Sequence, residues 1–213
     1  MSSYLSLLDY CTINPQVELR LGLNDWVSKA TLSERPKRQI AYAKIRECLD
    51  LKITMLDLSG LGLTSLPNEI SALSKLQKLN ASHNNLESFP DLSECKKLVS
   101  IDVSHNELTG FPDLTRFYDL ELLDLSYNKI EKVPDCPDSS SLKCLNLVHN
   151  QVVYLSENFA HLSSECEISI DNNPISIKTL ENFLQLIKEP RGPKILCSVI
   201  LIKEIFRREI HAR

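Results

Sequence analysis

An elongated α/β solenoid with short parallel strands is predicted by three observations. Asparagine recurs in one frame at Asn84, Asn106, Asn128, Asn150 and Asn173, with successive gaps of 22, 22, 22 and 23 residues. Around each asparagine the apolar residues keep the same spacing, as in Leu76, Leu79, Ala81 and Leu86, or Leu120, Leu123, Leu125 and Ile130. Each unit then runs on to an apolar residue followed by proline, at Leu66-Pro67, Phe89-Pro90, Phe111-Pro112 and Val133-Pro134. A fixed period near 22 residues marks a chain of stacked units, none of which buries its apolar face alone.

The shared frame, L-x-x-L-x-L-x-x-N-x-L, is the leucine-rich-repeat pattern, and it predicts a right-handed superhelix of about six repeats with the strands on the concave face. Within it the L-x-L dipeptide spacing forms a strand whose inward leucines stack on those of the neighbouring repeats. The asparagine column (Asn84, Asn106, Asn128, Asn150, Asn173) is structural: its amides donate to and accept from backbone groups that would otherwise be buried unpaired. A first copy, Ile53, Leu56, Leu58, Leu61 and Leu63, has Leu61 where the asparagine belongs. A weaker last copy keeps Ile168, Ile170, Asn173 and Ile175. Proline fixes its own φ and biases the preceding residue to extended geometry, so the convex side is expected to be extended or 3₁₀ chain with little α-helix.

Caps are predicted at both ends, giving three segments: 1–51, a helical N-terminal cap; 52–175, the repeats; and 176–213, a C-terminal helix and strand cap. Arg38 to Leu51 carries Ala41, Ile45, Cys48 and Leu49 on one helical stripe, with Pro36 in the first turn. Val17 to Ala30, including Leu21, Trp26 and Val27, reads as a second helix packed antiparallel to it. Downstream, Ser176 precedes a stripe of Ile177, Leu180, Phe183, Leu184 and Ile187 that Pro190 stops. A β-rich stretch, Ile195 to Ile200, follows Gly192-Pro193, and Lys203 to Arg213 is a charged segment with Ile205, Phe206 and Ile210 at helical spacing.

Composition excludes several function classes. The chain has 213 residues, 43% of them apolar, and a formal net charge of −4. Residues 188–213 hold seven Lys/Arg against three Asp/Glu, so the acidic excess lies in the repeats. Nucleic-acid binders carry a basic stripe, which the repeats lack. Seven cysteines, without a CxxC pair, read as reduced thiols of a reducing compartment, not as a disulfide framework. No basic-then-apolar leader opens the sequence, and the longest apolar run, Ile195 to Ile202, is too short to span a bilayer, so a soluble protein is expected. Five glycines, none in a phosphate-binding loop, give no support for nucleotide or other small-molecule substrates.

The flanks carry a family resemblance. The helix ending Arg46-Glu47-Cys48-Leu49 leads into Leu56-Asp57-Leu58-Ser59-Gly60-Leu61-Gly62-Leu63-Thr64-Ser65-Leu66-Pro67. That stretch resembles the approach to the repeats in bacterial leucine-rich-repeat effectors, including the novel E3 ligase class. Asn173-Pro174-Ile175-Ser176, then Thr179-Leu180, is similar to that family's closing turn and helix, and Gly192-Pro193-Lys194-Ile195 to the strand that follows them. The resemblance covers roughly residues 25–200. It implies a protein secreted by a bacterium into the cytoplasm of a host cell, with a host protein as partner. The family's ligases continue into a large helical catalytic domain, whereas here about a dozen residues follow the strand. The resemblance therefore implies recognition without catalysis, or the recognition half of a ligase whose catalytic domain is missing from this sequence.

No catalytic or metal site is expected, and no cofactor. Cys136-Pro137-Asp138 matches the three letters of the ligases' C-x-D motif, but it lies in a connection between repeats with no histidine partner in view. His83, His105 and His149 share one repeat position. Such a column invites a metal, yet S-H-N and S-Y-N (at Tyr127) are ordinary fillings of that position. Partner binding is assigned instead to the outward strand residues Met55, Lys78, Ser100, Asp102, Leu122, Asp124, Tyr127, Cys144, Val148 and Glu167. Asp57, Asp102 and Asp124 together favour a basic partner segment. Leu122 and Cys144, with Tyr127 and Val148 beside them, form the expected apolar anchor; alternatively these residues merely tile the sheet. A membrane-surface role would use Arg207, Arg208 and Arg213 beside Ile205, Phe206 and Ile210, although a helix packed on the last repeat explains that segment equally well. Capped ends predict a monomer.

Overall fold

In a computed structural model, residues 15–135, 141–186 and 192–197 are described. Helix α1 (Pro15–Ser28) and helix α2 (Arg35–Leu51) precede the repeats. Six short strands, one per repeat, follow: β1 (Met55–Asp57), β2 (Lys78–Asn80), β3 (Ser100–Asp102), β4 (Leu122–Asp124), β6 (Cys144–Asn146) and β8 (Glu167–Ser169). Every pairing is parallel, and the register places equivalent residues side by side, Leu56 on Leu79, Ile101 on Leu123 and Leu145 on Ile168. After helix α3 (Ile177–Leu186), strand β9 (Lys194–Leu196) adds to β8 as the seventh strand.

The core follows directly from the frame. Each strand's central residue and the second residue beyond it face inward, so Leu79 and Ala81, Ile101 and Val103, and Leu123 and Leu125 are all buried. Stacked on the same positions of adjacent repeats, they form one continuous core rather than six small ones. On the opposite side the chain is extended or 3₁₀, as the prolines require. A 3₁₀ helix covers Asn68–Ala72 directly after Pro67, another covers Glu157–His161, and β5 (Lys132–Val133) pairs in parallel with β7 (Tyr154–Leu155).

The asparagine column does what the frame demands. Asn106 Nδ2 donates to the carbonyls of Ala81, Val103 and Ser104 at 3.0–3.1 Å, while its Oδ1 accepts from the Leu86 amide at 2.9 Å. Each asparagine thus reaches back into the preceding repeat and joins two turns through otherwise orphaned backbone groups. This explains Leu61: the first repeat has no repeat before it, so an asparagine there would lack the carbonyl and amide of a preceding turn that the column bridges to.

The predicted caps form, with one correction in α1. Ala41, Ile45 and Cys48 of α2 are buried against the first repeat, and Lys52, with φ 54°, ends the helix in the left-handed region. In α1, Trp26 is buried but Leu21 is 57% exposed; the core residue is Leu23. The reason is angular. Leu23 and Trp26 stand three apart on one face of the helix, and Leu21 lies well off it. Ser176 caps α3 through its hydroxyl, which accepts from the Thr179 amide at 3.0 Å, and Leu180 and Phe183 are buried as expected. Ile187, Pro190, the stretch beyond Cys197 and the charged segment to Arg213 lie outside the described residues, as does the Cys136-Pro137-Asp138 motif.

Candidate partner-binding face

Three parallel columns of outward side chains run along the strand face. The first is Met55, Lys78, Ser100, Leu122, Cys144 and Glu167, side by side in the strand register. Leu122 is 47% exposed and pairs with half-buried Cys144, while Met55 is exposed at the N-terminal edge. Burial and the nearby carboxylates of Asp124 and Glu167 push the Cys144 thiol up, so it ionises less readily than a free thiol and presents mainly a small apolar surface. Glu167 in turn pairs with Lys194 at 3.7 Å.

The second column is committed to the fold. Asp102 Oδ1 accepts from both the amide and the hydroxyl of Ser104, at 3.0 and 2.7 Å, and Asp124 does the same with Ser126 at 2.9 and 2.6 Å. Asp124 Oδ2 also accepts from Asn146 Nδ2 at 3.0 Å. Asp57 makes the same pair of bonds to Ser59, and the donated hydroxyl and amide hold its carboxyl below the usual aspartate range. These carboxylates close a turn after each strand, so their capacity to hold a basic partner is smaller than their number suggests.

The third column is a ladder of rings. His83 and His105 stack with centroids 4.2 Å apart and planes 13° from parallel. Tyr127 stacks on His105 at 4.1 Å and His149 on Tyr127 at 4.3 Å. Asn172 extends the line, its Nδ2 lying 2.9 Å from His149 Nε2. All five residues have φ between 53° and 57°, a conformation that costs an L-residue roughly 1–2 kcal/mol. The stacking offsets part of that cost, since an aromatic pair contributes about 0.5–1.5 kcal/mol beyond its burial. Parallel imidazoles cannot aim in-plane lone pairs at one ion between them, so the ladder is not a chelate. Among the described residues no group of three or more His, Cys, Asp or Glu side chains is arranged to hold a metal.

The sequence-predicted residues thus divide. Leu122 and Cys144 pair across β4 and β6, while Tyr127, whose amide donates to the Val148 carbonyl at 2.8 Å, stands on the far side of the carboxylate column. Met55 and Lys78 stand at the N-terminal edge, where exposed Leu51 and Ile53 add apolar surface that the strand pattern does not single out. Sequence reasoning also missed how the helical cap is fastened. Glu34 Oε2 pairs with Arg38 at 3.1 Å, its Oε1 accepts from the amide and hydroxyl of Thr64 at 3.1 and 2.8 Å, and both charged side chains are buried. The available signal was a Glu-to-Arg pair four residues apart at the start of an otherwise apolar helix face.

Comparison with known proteins agrees with this architecture. A model of the family described as leucine-rich repeats (2 copies) matches residues 74–116. The leucine-rich-repeat domain of a Shigella effector is similar at 26% identity, over 86% of this chain and 98% of that one, with a TM-score of 0.51. YopM, a leucine-rich effector protein of Yersinia pestis, is similar at 28% identity and a TM-score of 0.63, over 76% of this chain and 49% of that one. The chain therefore spans about half the length of YopM. No curated protein matches the sequence. The chain has the leucine-rich-repeat fold and resembles the repeat domains of bacterial effectors, a scaffold suited to binding.

Proposed function

We propose that this leucine-rich-repeat chain binds a protein of a host cell through its strand face, as a bacterial effector secreted into that cell's cytoplasm. The observation that carries the reading is the exposure of two large apolar side chains, Leu122 and Tyr127, 47% and 44% exposed, on either side of a column of bonded carboxylates and serines on a rigid sheet. A preordered sheet loses little chain entropy on binding, and buried aromatic and aliphatic anchors dominate interface energies. Similarity to two effector proteins, together with the absence of any helix among the described residues long and apolar enough to cross a membrane, supports the same reading. The recognition half of a ubiquitin ligase would present its substrate on this same face, and the flanks that resemble the ligase class favour that second reading.

The test is capture of a partner from host-cell lysate by the intact protein and by a Leu122→Glu, Cys144→Glu double variant. Both substitutions replace outward side chains and leave the buried frame alone. A partner held by the first and lost by the second, with equal thermal midpoints, supports the reading; equal capture by both overturns it.

A further inference from the structure

The ring ladder has an empty rung at its N-terminal end. Position 60 is the repeat equivalent of His83, His105, Tyr127 and His149, and it holds glycine in the same left-handed conformation, with φ 67°. The strand register leads directly to this equivalence, since Asp57 pairs with Asn80 and each rung lies three residues on. A Cβ added at Gly60 would meet nothing within 4 Å, so the space above it is open. His83 is exposed, and the ring face that His105 does not cover points along the ladder toward this space. Each filled rung lies 4.1–4.3 Å from the next, the spacing of one aromatic ring on another.

We infer that the space over Gly60 is a slot for an aromatic side chain of the protein partner, which would stack on the free face of His83 as the fifth ring of the ladder. This rests on the protein-binding reading above and adds to it a second anchor, at the N-terminal end of the face, three strands from Leu122 on β4. The charges around the slot select an aromatic ring over a guanidinium. A Cβ added at Gly62 would meet Lys37 Nζ at 2.7 Å, and Lys44 Nζ donates to the Asp57 carbonyl at 2.7 Å. Two ammonium groups repel an arginine and attract the face of a ring. The Asp57 carboxylate, three residues before Gly60, already accepts the amide and hydroxyl of Ser59. The floor is open at Gly60, where the later repeats carry rings, while the space over Gly62 is taken by the Lys37 ammonium.

The experiment is a nuclear magnetic resonance titration of the intact protein with N-acetyl-tryptophanamide, with N-acetyl-glycinamide as control. Ring-current shifts should centre on the Gly60 amide and the His83 ring and fade before His149. Gly60→His fills the slot in a conformation that three histidines already adopt, and His83→Ala removes its wall from an exposed position; each should abolish the shifts. Leu122→Glu should leave them intact. Shifts spread evenly along the face, shifts that persist in both variants, or no shift at Gly60 and His83 would overturn the slot. The slot alone falls if those shifts are absent while partner capture still depends on Leu122; the Leu122 anchor alone falls if the shifts are present and capture ignores it.

Discussion

The guanidinium of Arg38 lies 4.8 Å from the centre of the Trp26 ring and donates to the Trp26 carbonyl at 2.7 Å through Nη1. Its Nη2 pairs with Glu34 at 3.1 Å, and Glu34 in turn holds Thr64 of the first repeat. One buried side chain therefore ties both cap helices to the solenoid. Removing it would strand the Glu34 charge in the interior, a loss of about 3–5 kcal/mol for a broken buried pair. Arg38→Ala should lower the unfolding free energy by that order, as read from urea denaturation. The Glu34→Gln, Arg38→Met double variant should recover much of the loss, because no uncompensated charge remains.

The same carboxylate makes the cap sensitive to acid. Burial pushes the Glu34 carboxyl up, but the Thr64 amide, Arg38 and the Thr64 hydroxyl outweigh it and hold it below the usual glutamate range. A folded value below the unfolded one stabilises the protein fully above the unfolded value, about 4.3, and the gain is lost as pH falls through the lower folded value. Glu34→Gln should flatten the acid limb of the stability curve below about pH 4.3 relative to the parent protein. An unchanged limb would show that other carboxylates control it.

Asparagines in the middle of the column should matter more than the last one. Asn106→Ala leaves the Leu86 amide without its partner in the interior, while the Ala81 carbonyl keeps its bond from Asn84 Nδ2, a cost of about 1–3 kcal/mol for the one orphaned group. Asn173 is half-exposed, so water can replace part of its bonding and Asn173→Ala should cost less. Chemical denaturation of the two variants measures the difference.

At Tyr127 two substitutions should part company. Tyr127→Ala loses two ring contacts while keeping the left-handed backbone, and should destabilise by about 1–3 kcal/mol. Tyr127→Gly loses the same contacts but relieves the backbone, so it should be close to neutral. Equal losses in urea denaturation would mean that backbone strain plays no part at this position.

Thiol reactivity should follow burial. Cys95 is fully buried, donates toward the Ile70 carbonyl at 3.4 Å, and is pushed up to about 12 by burial and neighbouring acidic groups. Iodoacetamide at pH 8, followed by peptide mass mapping, should label Cys144 in the folded protein and Cys95 only in denaturant.

Several features were legible in the sequence because they repeat. The period and the inward leucines recur in six units and the asparagine in five, so the copies state the rule and expose the exception at Leu61. The convex chain was legible for a local reason: proline restricts its own φ and its neighbour's conformation whatever surrounds it. Ser176, Pro36 and the apolar stripe of α2 were equally local. Leu21 was misjudged because choosing between two leucines two residues apart needs the docking angle of α1, which no local rule contains.

The tertiary structure alone decided how side chains from different repeats meet. Rings at His83, His105, Tyr127 and His149 lie 22 residues apart in sequence, and only the strand register brings them within 4.1–4.3 Å. That register also empties the rung at Gly60 and turns the Asp102 and Asp124 carboxylates toward their own serines. Sequence by itself determined the solenoid, since each repeat carries its own stacking and turn residues. It could not determine the surface, because exposure, stacking and the pairing of Glu34 with Thr64 depend on distances between residues that are far apart along the chain.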